Sequence, residues 1–148
     1  MKTILMIAIM ALSLISGFAQ AADENALPAL SGYDPVSYFA QKEPTRGSGM
    51  HAHRHKGQDY LFTSAENLAE FKKNPEKYMP QFGGYCAFGA AMGKKFHADP
   101  TVFSVVGDKL YLNLNKDIQM KWNEKQAQMI KDADMNWKSI KSKASDKL

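Results

Sequence analysis

The sequence predicts an α+β fold made of small antiparallel hairpins, short helices and a helical C-terminal tail. Two observations lead to this class. Alternating apolar residues on either side of Gly107-Asp108 are typical of two strands joined by a two-residue turn. Apolar residues near helical spacing then recur from Ile118 to Ile140, which predicts a helical end to the chain.

An apolar leader precedes the domain. Residues Thr3 to Gly17 are almost all apolar, Lys2 stands before them, and Ala19-Gln20-Ala21 follows as a small-x-small cleavage site. This pattern predicts a secretory signal peptide over residues 1–21. The apolar run is shorter than the ~20 residues that span a bilayer, so we expect a periplasmic or secreted protein with no membrane span after cleavage.

The rest of the chain is expected to form one domain. We predict a disordered lead-in over residues 22–30, the domain over 31–141 and a polar tail over 142–148. The net charge of +4 is weak and dispersed, which argues against a nucleic-acid partner because such partners need a clustered basic face. No internal repeat is evident from the residues.

Turn and capping residues predict the elements of the first half. Gly57 separates two segments of strand character, and Ser64 stands where a helix N-cap belongs. The predicted elements are a short apolar element at 37–39, a loop at 42–49, strands at 51–56 and 58–62, and a helix at 65–73.

The second half follows the same kind of signals. Gly93 closes a short predicted helix, and Asn115 is placed to cap the helical tail. The predicted elements are one helical turn at 76–79, a short helix at 85–92, strands at 102–106 and 109–113, and two tail helices that break between 123 and 128.

Several segments stand in an order typical of one known family. They include Gly32-Tyr33-Asp34-Pro35-Val36, Tyr60-Leu61-Phe62, Asn74-Pro75-Glu76-Lys77-Tyr78 and Gly83-Gly84-Tyr85-Cys86-Ala87. Together they resemble the secreted, single-domain branch of the YHS domain family, which is similar to small TRASH-like metal-binding modules. The resemblance covers about residues 31 to 140.

The resemblance implies a treble-clef-like module of the type found beside copper-transporting ATPases. In such modules, cysteines near the Asp-Pro-Val segment and after the Tyr-x-Phe strand are thought to hold metal. Ser37 and Asn67 stand at those two places in this sequence. A closed, cysteine-rich zinc or copper site cannot form without the thiolates.

A different set of metal ligands lies in Met50-His51-Ala52-His53-Arg54-His55. Alternate side chains of a strand share a face about 6 to 7 Å apart, so three imidazoles here can chelate an ion. Imidazole suits Cu(II) and Zn, whereas thioether and thiolate suit Cu(I), which adds Met50, Cys86 and His97 to the candidates. Affinity should fall below about pH 6 as imidazoles protonate. The other interpretation is a polar strand face without a ligand.

Cys86 is the only cysteine and cannot form an internal disulfide. Four roles remain open: a buried apolar filler, a metal ligand, a reactive thiol or an intermolecular bridge. In the first turn of the predicted helix, the helix dipole would favour its thiolate. Asp34 and Asp99 flank turn residues, so we expect them to cap backbone amides and not to form a catalytic pair.

The sequence therefore predicts a periplasmic small protein that binds or handles a metal ion, with copper the first choice and zinc the second. The alternative is a non-catalytic domain that binds a periplasmic protein partner without metal. A thiol redox enzyme ranks third, because no resolving cysteine is present. The candidate metal ligands are Cys86, His51, His53, His55, His97 and Met50.

Overall fold

The computed structural model describes residues 27–148 and confirms the α+β class. The signal peptide predicted for residues 1–21 lies outside this range, as do residues 22–26 of the predicted lead-in. None of the helices within the described residues is long and apolar enough to cross a bilayer.

Helices and two separate antiparallel hairpins make up the described part of the chain. Two 3-10 turns, Ala29–Gly32 and Gln81–Gly84, precede the first and fourth helix, and a third covers Ser145–Lys147. The helices are α1 Ser37–Ala40, α2 Ala65–Lys73, α3 Pro75–Tyr78, α4 Ala87–Ala91, α5 Lys116–Glu124 and α6 Gln126–Ile140. The strands are β1 Ser48–His55, β2 Gln58–Phe62, β3 Asp99–Val106 and β4 Lys109–Asn113.

The order of elements runs twice along the chain. A 3-10 turn, a short helix, a hairpin and two helices follow one another in residues 29–78 and again in residues 81–140. We call these ranges the first half and the second half. The helices α2 and α5 are each 9 residues long, and both hairpins contain an irregularity in the first strand. The order of elements thus recurs, although no repeat is evident from the residues alone.

The hairpins form where the turn residues predict them. Gly107 and Asp108 both have positive φ, 55° and 57°, which gives the turn the twist that neighbouring strands require. Strand β1 starts earlier than expected, since Ser48 already pairs with Phe62 across the hairpin. The end of the loop predicted at 42–49 is therefore strand.

Capping residues set the helix boundaries. The Ser64 hydroxyl accepts the backbone N–H of Asn67 at 3.2 Å, and the Asn115 side chain accepts that of Ile118 at 2.9 Å. Both predicted N-caps are confirmed. The tail helices break at Lys125, inside the predicted interval.

Each half is centred on one aromatic side chain from the nine-residue helix that follows its hairpin. Phe71 of α2 and Trp122 of α5 are both completely buried. Phe71 packs on Tyr60 with ring centroids 5.3 Å apart, and Trp122 packs on Tyr111 at 5.5 Å. Burial of such rings is the main stabilising term available to a domain of this size.

Tyr38 joins the two halves. It belongs to α1 but is buried against Leu110 and Leu112 of the second hairpin, and its ring meets that of Phe103 at 5.0 Å. Its hydroxyl donates to the Pro100 carbonyl at 2.9 Å. Burial raises the pKa of Tyr38 well above its usual value, so the hydroxyl stays a donor. The hairpin of one half is thereby fixed to a helix of the other.

Candidate functional site

His51, His53 and His55 form what we call the histidine face of β1. All three are half-buried, whereas Met50 is 85% exposed. The regular register from Ala52 to His55 brings His53 and His55 to one face, as expected. His51 and Met50 lie in the irregular part of the strand, and there the half-burial of His51 sets it apart from the exposed Met50 thioether.

The histidine face packs against α2. The rings of His53 and His55 meet the ring of Phe71 edge-on, with centroids 6.2 and 5.8 Å away. At one end of the row, His55 Nε2 lies 3.2 Å from Glu76 Oε1. His55 is thus held between an apolar ring and a carboxylate, whereas His53 contacts the ring alone.

Glu76 is the partner of His55 at the end of the histidine face. Its Oε1 also contacts Lys56 Nζ at 2.7 Å, and the hydrogen bonds from Lys56 and then His55 lower the pKa of this carboxyl. The group is therefore ionised at neutral pH. Two ligands of one tetrahedral ion with bonds of about 2.0 Å lie about 3.3 Å apart, so His55 and Glu76 already have ligand spacing.

This pair is not a closed site. Across residues 27–148, no three His, Cys, Asp or Glu side chains are grouped closely enough to hold a metal ion. A third ligand would have to come from the neighbouring His53 after a change of rotamer, or from solvent. The arrangement is an open donor pair on a strand face.

Cys86 lies in the second half and is only 1% exposed. It is the N-cap of α4, whereas the sequence placed it in the first turn of a helix starting at Tyr85. Its Sγ accepts the N–H of Gly89 at 3.4 Å and donates to Asn113 Oδ1 at 3.6 Å. Of the four roles left open, a buried filler fits this burial best, with capping added; reactive thiols are usually partly exposed.

His97 is separate from the histidine face. It is exposed, its ring lies 6.0 Å from that of Tyr85, and its backbone pairs with the same residue. Together with Met79 it lines an open cleft of about 300 Å³ between the halves. The sequence offered His97 as a ligand beside the other histidines, but in the fold it belongs to a different surface.

The positions expected for family cysteines hold a hydrogen-bond network. Asp34 is completely buried, and its Oδ2 accepts the Thr63 N–H, the Thr63 hydroxyl and the Asn67 side-chain amide at 2.7 to 2.8 Å. Its Oδ1 accepts the Val36 N–H at 2.8 Å. The Ser37 hydroxyl donates to the Asp34 carbonyl at 2.7 Å. We call Asp34, Ser37, Thr63 and Asn67 the Asp34 network.

The Asp34 network does not fit the thiolate centre that the family resemblance implies. Its groups are two hydroxyls, an amide nitrogen and a carboxylate that already accepts four hydrogen bonds. The expectation that Asp34 caps backbone amides is confirmed, and Asp99 does the same for Thr101 at 2.8 Å. The hydrogen bonds of Asp34 with Thr63 and Asn67 could not be predicted from the sequence, because they depend on tertiary contact.

Comparison of the chain with protein-family models, with curated proteins and with solved structures gives no match. The resemblance to the YHS domain family therefore stays a prediction based on the residues.

Proposed function

We propose that the protein is a non-catalytic, periplasmic metal-binding protein that holds a Cu(II) or Zn(II) ion at the histidine face. The observation that carries this proposal is the separation of 3.2 Å between His55 Nε2 and Glu76 Oε1, with His53 next along the row. One imidazole and one ionised carboxylate are therefore in place before an ion arrives.

The donor types favour Cu(II) first and Zn(II) second. Imidazole and carboxylate are ligands for borderline divalent ions, and affinities for such sites rise to a maximum at Cu(II). Cu(I) prefers sulfur, but the Met50 thioether is exposed to solvent and Cys86 is buried in the second half. The sulfur ligands considered at first are thus not part of this site.

Lys56 limits the affinity of the site. Its ammonium group lies 2.7 Å from the same Glu76 oxygen and already neutralises the carboxylate. An ion that binds Glu76 must displace this contact, or bind beside a positive charge. Replacing Lys56 by alanine should therefore strengthen binding, a result that a mere histidine surface would not produce.

Calorimetric titration of the chain without residues 1–21 with Cu(II) and with Zn(II) tests the proposal. We expect His53→Ala/His55→Ala to weaken binding at least about tenfold and Glu76→Gln to weaken it less. Lys56→Ala should bind more tightly. The matched controls His97→Ala and Cys86→Ser should bind like wild type. Equal affinity of wild type and His53→Ala/His55→Ala would contradict the proposal.

The Asp34 network supports a second candidate, a domain that binds a protein partner without metal. Its hydrogen bonds occupy the positions where the resembled modules place thiolates, and they hold the fold without an ion. This candidate predicts that wild type and every variant above bind neither ion. It also predicts that the melting temperature stays the same when Cu(II) or Zn(II) is added.

A further inference from the structure

We infer that the chain consists of two copies of one structural module joined in tandem, and that Cys86 is the second copy's counterpart of Asp34. The order of elements recurs, but similar orders arise in unrelated folds. The two halves also match in unusual backbone geometry, in hydrogen-bond partners and in strand register.

The two 3-10 turns share an uncommon backbone conformation. In Leu30–Gly32 the φ angles are 54°, 53° and 85°, and in Phe82–Gly84 they are 54°, 61° and 79°. A positive φ is rare at Leu or Phe, because the side chain crowds the backbone. Each turn is then followed by a tyrosine, Tyr33 or Tyr85. The same three-residue conformation in the same place is a specific match.

Asp34 and Cys86 follow these tyrosines and make the same contacts. The Asp34 N–H donates to the Thr45 carbonyl at 2.8 Å, and the Cys86 N–H donates to the Phe96 carbonyl at 2.9 Å. Each side chain then accepts a backbone N–H two or three residues further on, at the start of a short helix. The carboxylate and the thiol thus occupy one structural position.

The hairpins agree in register and in the place of the irregularity. The ladders open with Ser48 opposite Phe62 and with Asp99 opposite Asn113. In both, the register shifts before the fifth residue of the first strand and then runs regularly to the turn. Because a one-residue slip would reverse every side chain, this agreement aligns the halves residue by residue.

The polar centre has diverged between the copies. Leu114 and Ile118 stand in the second half where Thr63 and Asn67 stand in the first. A polar side chain comes instead from Asn113, whose Oδ1 meets Cys86 and whose Nδ2 is buried without a partner in the described structure. Cys86 therefore occupies a capping position and not a vestigial ligand position.

The substitution Cys86→Asp tests the correspondence. If position 86 is equivalent to position 34, the new carboxylate takes over the Phe88 N–H, which in wild type donates to Asn113 Oδ1 at 3.3 Å, and the orphaned Asn113 amide nitrogen turns to donate to it. Asp34 accepts in the same way from Val36 and Asn67. We expect Cys86→Asp to melt within about 4 °C of wild type at pH 7, and Cys86→Ala to melt lower than Cys86→Asp.

The pH dependence gives a second readout. A carboxylate that accepts hydrogen bonds in the folded state has a lowered pKa, so its contribution is present above the unfolded pKa near 4 and is lost at lower pH. The melting temperature of Cys86→Asp should therefore drop between pH 7 and pH 3 more than that of Cys86→Ala. A Cys86→Asp protein that melts below Cys86→Ala at pH 7 would overturn the inference.

A graft provides an independent measurement that rests also on the proposed function. Ser104, Val106 and Ala127 of the second half correspond to His53, His55 and Glu76. We expect Ser104→His/Val106→His/Ala127→Glu to bind one Cu(II) more per chain than wild type. If wild type binds Cu(II) and the graft adds no ion, the residue correspondence is wrong. If wild type binds none, the proposed function fails, and Cys86→Asp still decides the inference.

Discussion

The two halves of the molecule build the same arrangement of hairpin and helices around different chemistry. The centre of the first half is the buried Asp34 carboxylate with four hydrogen bonds, and its hairpin carries the histidine face. The second half has Cys86 at that place, a larger ring at Trp122 and a buried amide of Asn113 without a partner. Turns, caps and register therefore specify the arrangement, while the residues at its centre can change.

The largest difference between the halves should appear on removing the two central side chains. Asp34→Ala leaves the buried Val36 N–H and the partly buried Thr63 N–H without their acceptor, and the Asn67 amide keeps only the Thr63 hydroxyl. We therefore expect a loss of about 3 kcal/mol in the free energy of unfolding. Cys86→Ala removes a weak acceptor and a small volume, for about 1 to 2 kcal/mol. Urea unfolding measures both losses, and equal losses would show that the two central side chains stabilise their halves to the same extent.

The second largest effect concerns the close approach of the chain at Gly47. An added Cβ would lie 2.4 Å from the Leu61 carbonyl carbon and 2.6 Å from the Phe62 nitrogen, both backbone atoms. We expect Gly47→Ala to cost about 3 kcal/mol. The matched control Gly49→Ala meets nothing within 4 Å and should stay within about 0.5 kcal/mol.

Gly47 is also a difference between the two halves, because the equivalent residue of the second half is Ala98. That half already accommodates a Cβ there, so Ala98→Gly should have a small effect. If Gly47→Ala unfolds at the same urea concentration as wild type, the backbone at Gly47 does not approach the backbone of Leu61 and Phe62 in β2 this closely.

The helix caps should behave alike in both halves. Ser64→Ala and Asn115→Ala each remove one acceptor for a backbone N–H at the start of a nine-residue helix. We expect each to cost about 1 kcal/mol. Thermal unfolding of the two variants side by side measures this cost. If only one variant is less stable than wild type, only that residue stabilises its helix by capping.

The smallest effect belongs to the ion pair at Glu76. Since hydrogen bonds from Lys56 and His55 lower its pKa below 4.5, the stability that it contributes is present above that pH and lost as the pH falls through the folded value. The pair is exposed, so Glu76→Gln should cost less than about 1 kcal/mol at pH 7 and nothing near pH 3.

Urea unfolding at both pH values measures this difference, with Ala127→Gln in the second half as the matched control. Ala127 lies at the equivalent place and is exposed. A gap between wild type and Glu76→Gln that widens on acidification would have the wrong sign for this carboxyl.

Local signals predicted most of the fold. The turn at Gly107-Asp108 depends on two adjacent residues, and the caps at Ser64 and Asn115 depend on contacts three residues away. The break at Lys125 falls where the apolar period changes. Each of these signals is contained in a few consecutive residues, so the sequence displays it directly.

The site depended on long-range contacts and was predicted only in part. The alternation along β1 correctly placed His53 and His55 on one face, but the pairing of His55 with Glu76 requires the hairpin to meet α3. The burial of Cys86 likewise requires β4. The repeat stayed hidden because its central positions changed in chemical type, from carboxylate to thiol and from Phe71 to Trp122.

The Asp34 network lets the first half fold without a supply of metal ions. Modules held by thiolate–metal bonds remain unfolded until an ion arrives, and chelators or oxidants undo them. Here a carboxylate, a hydroxyl and an amide, all encoded in the chain, hold the corresponding positions. The first half can therefore fold in a metal-starved or oxidising environment, because no ion is needed to hold these positions.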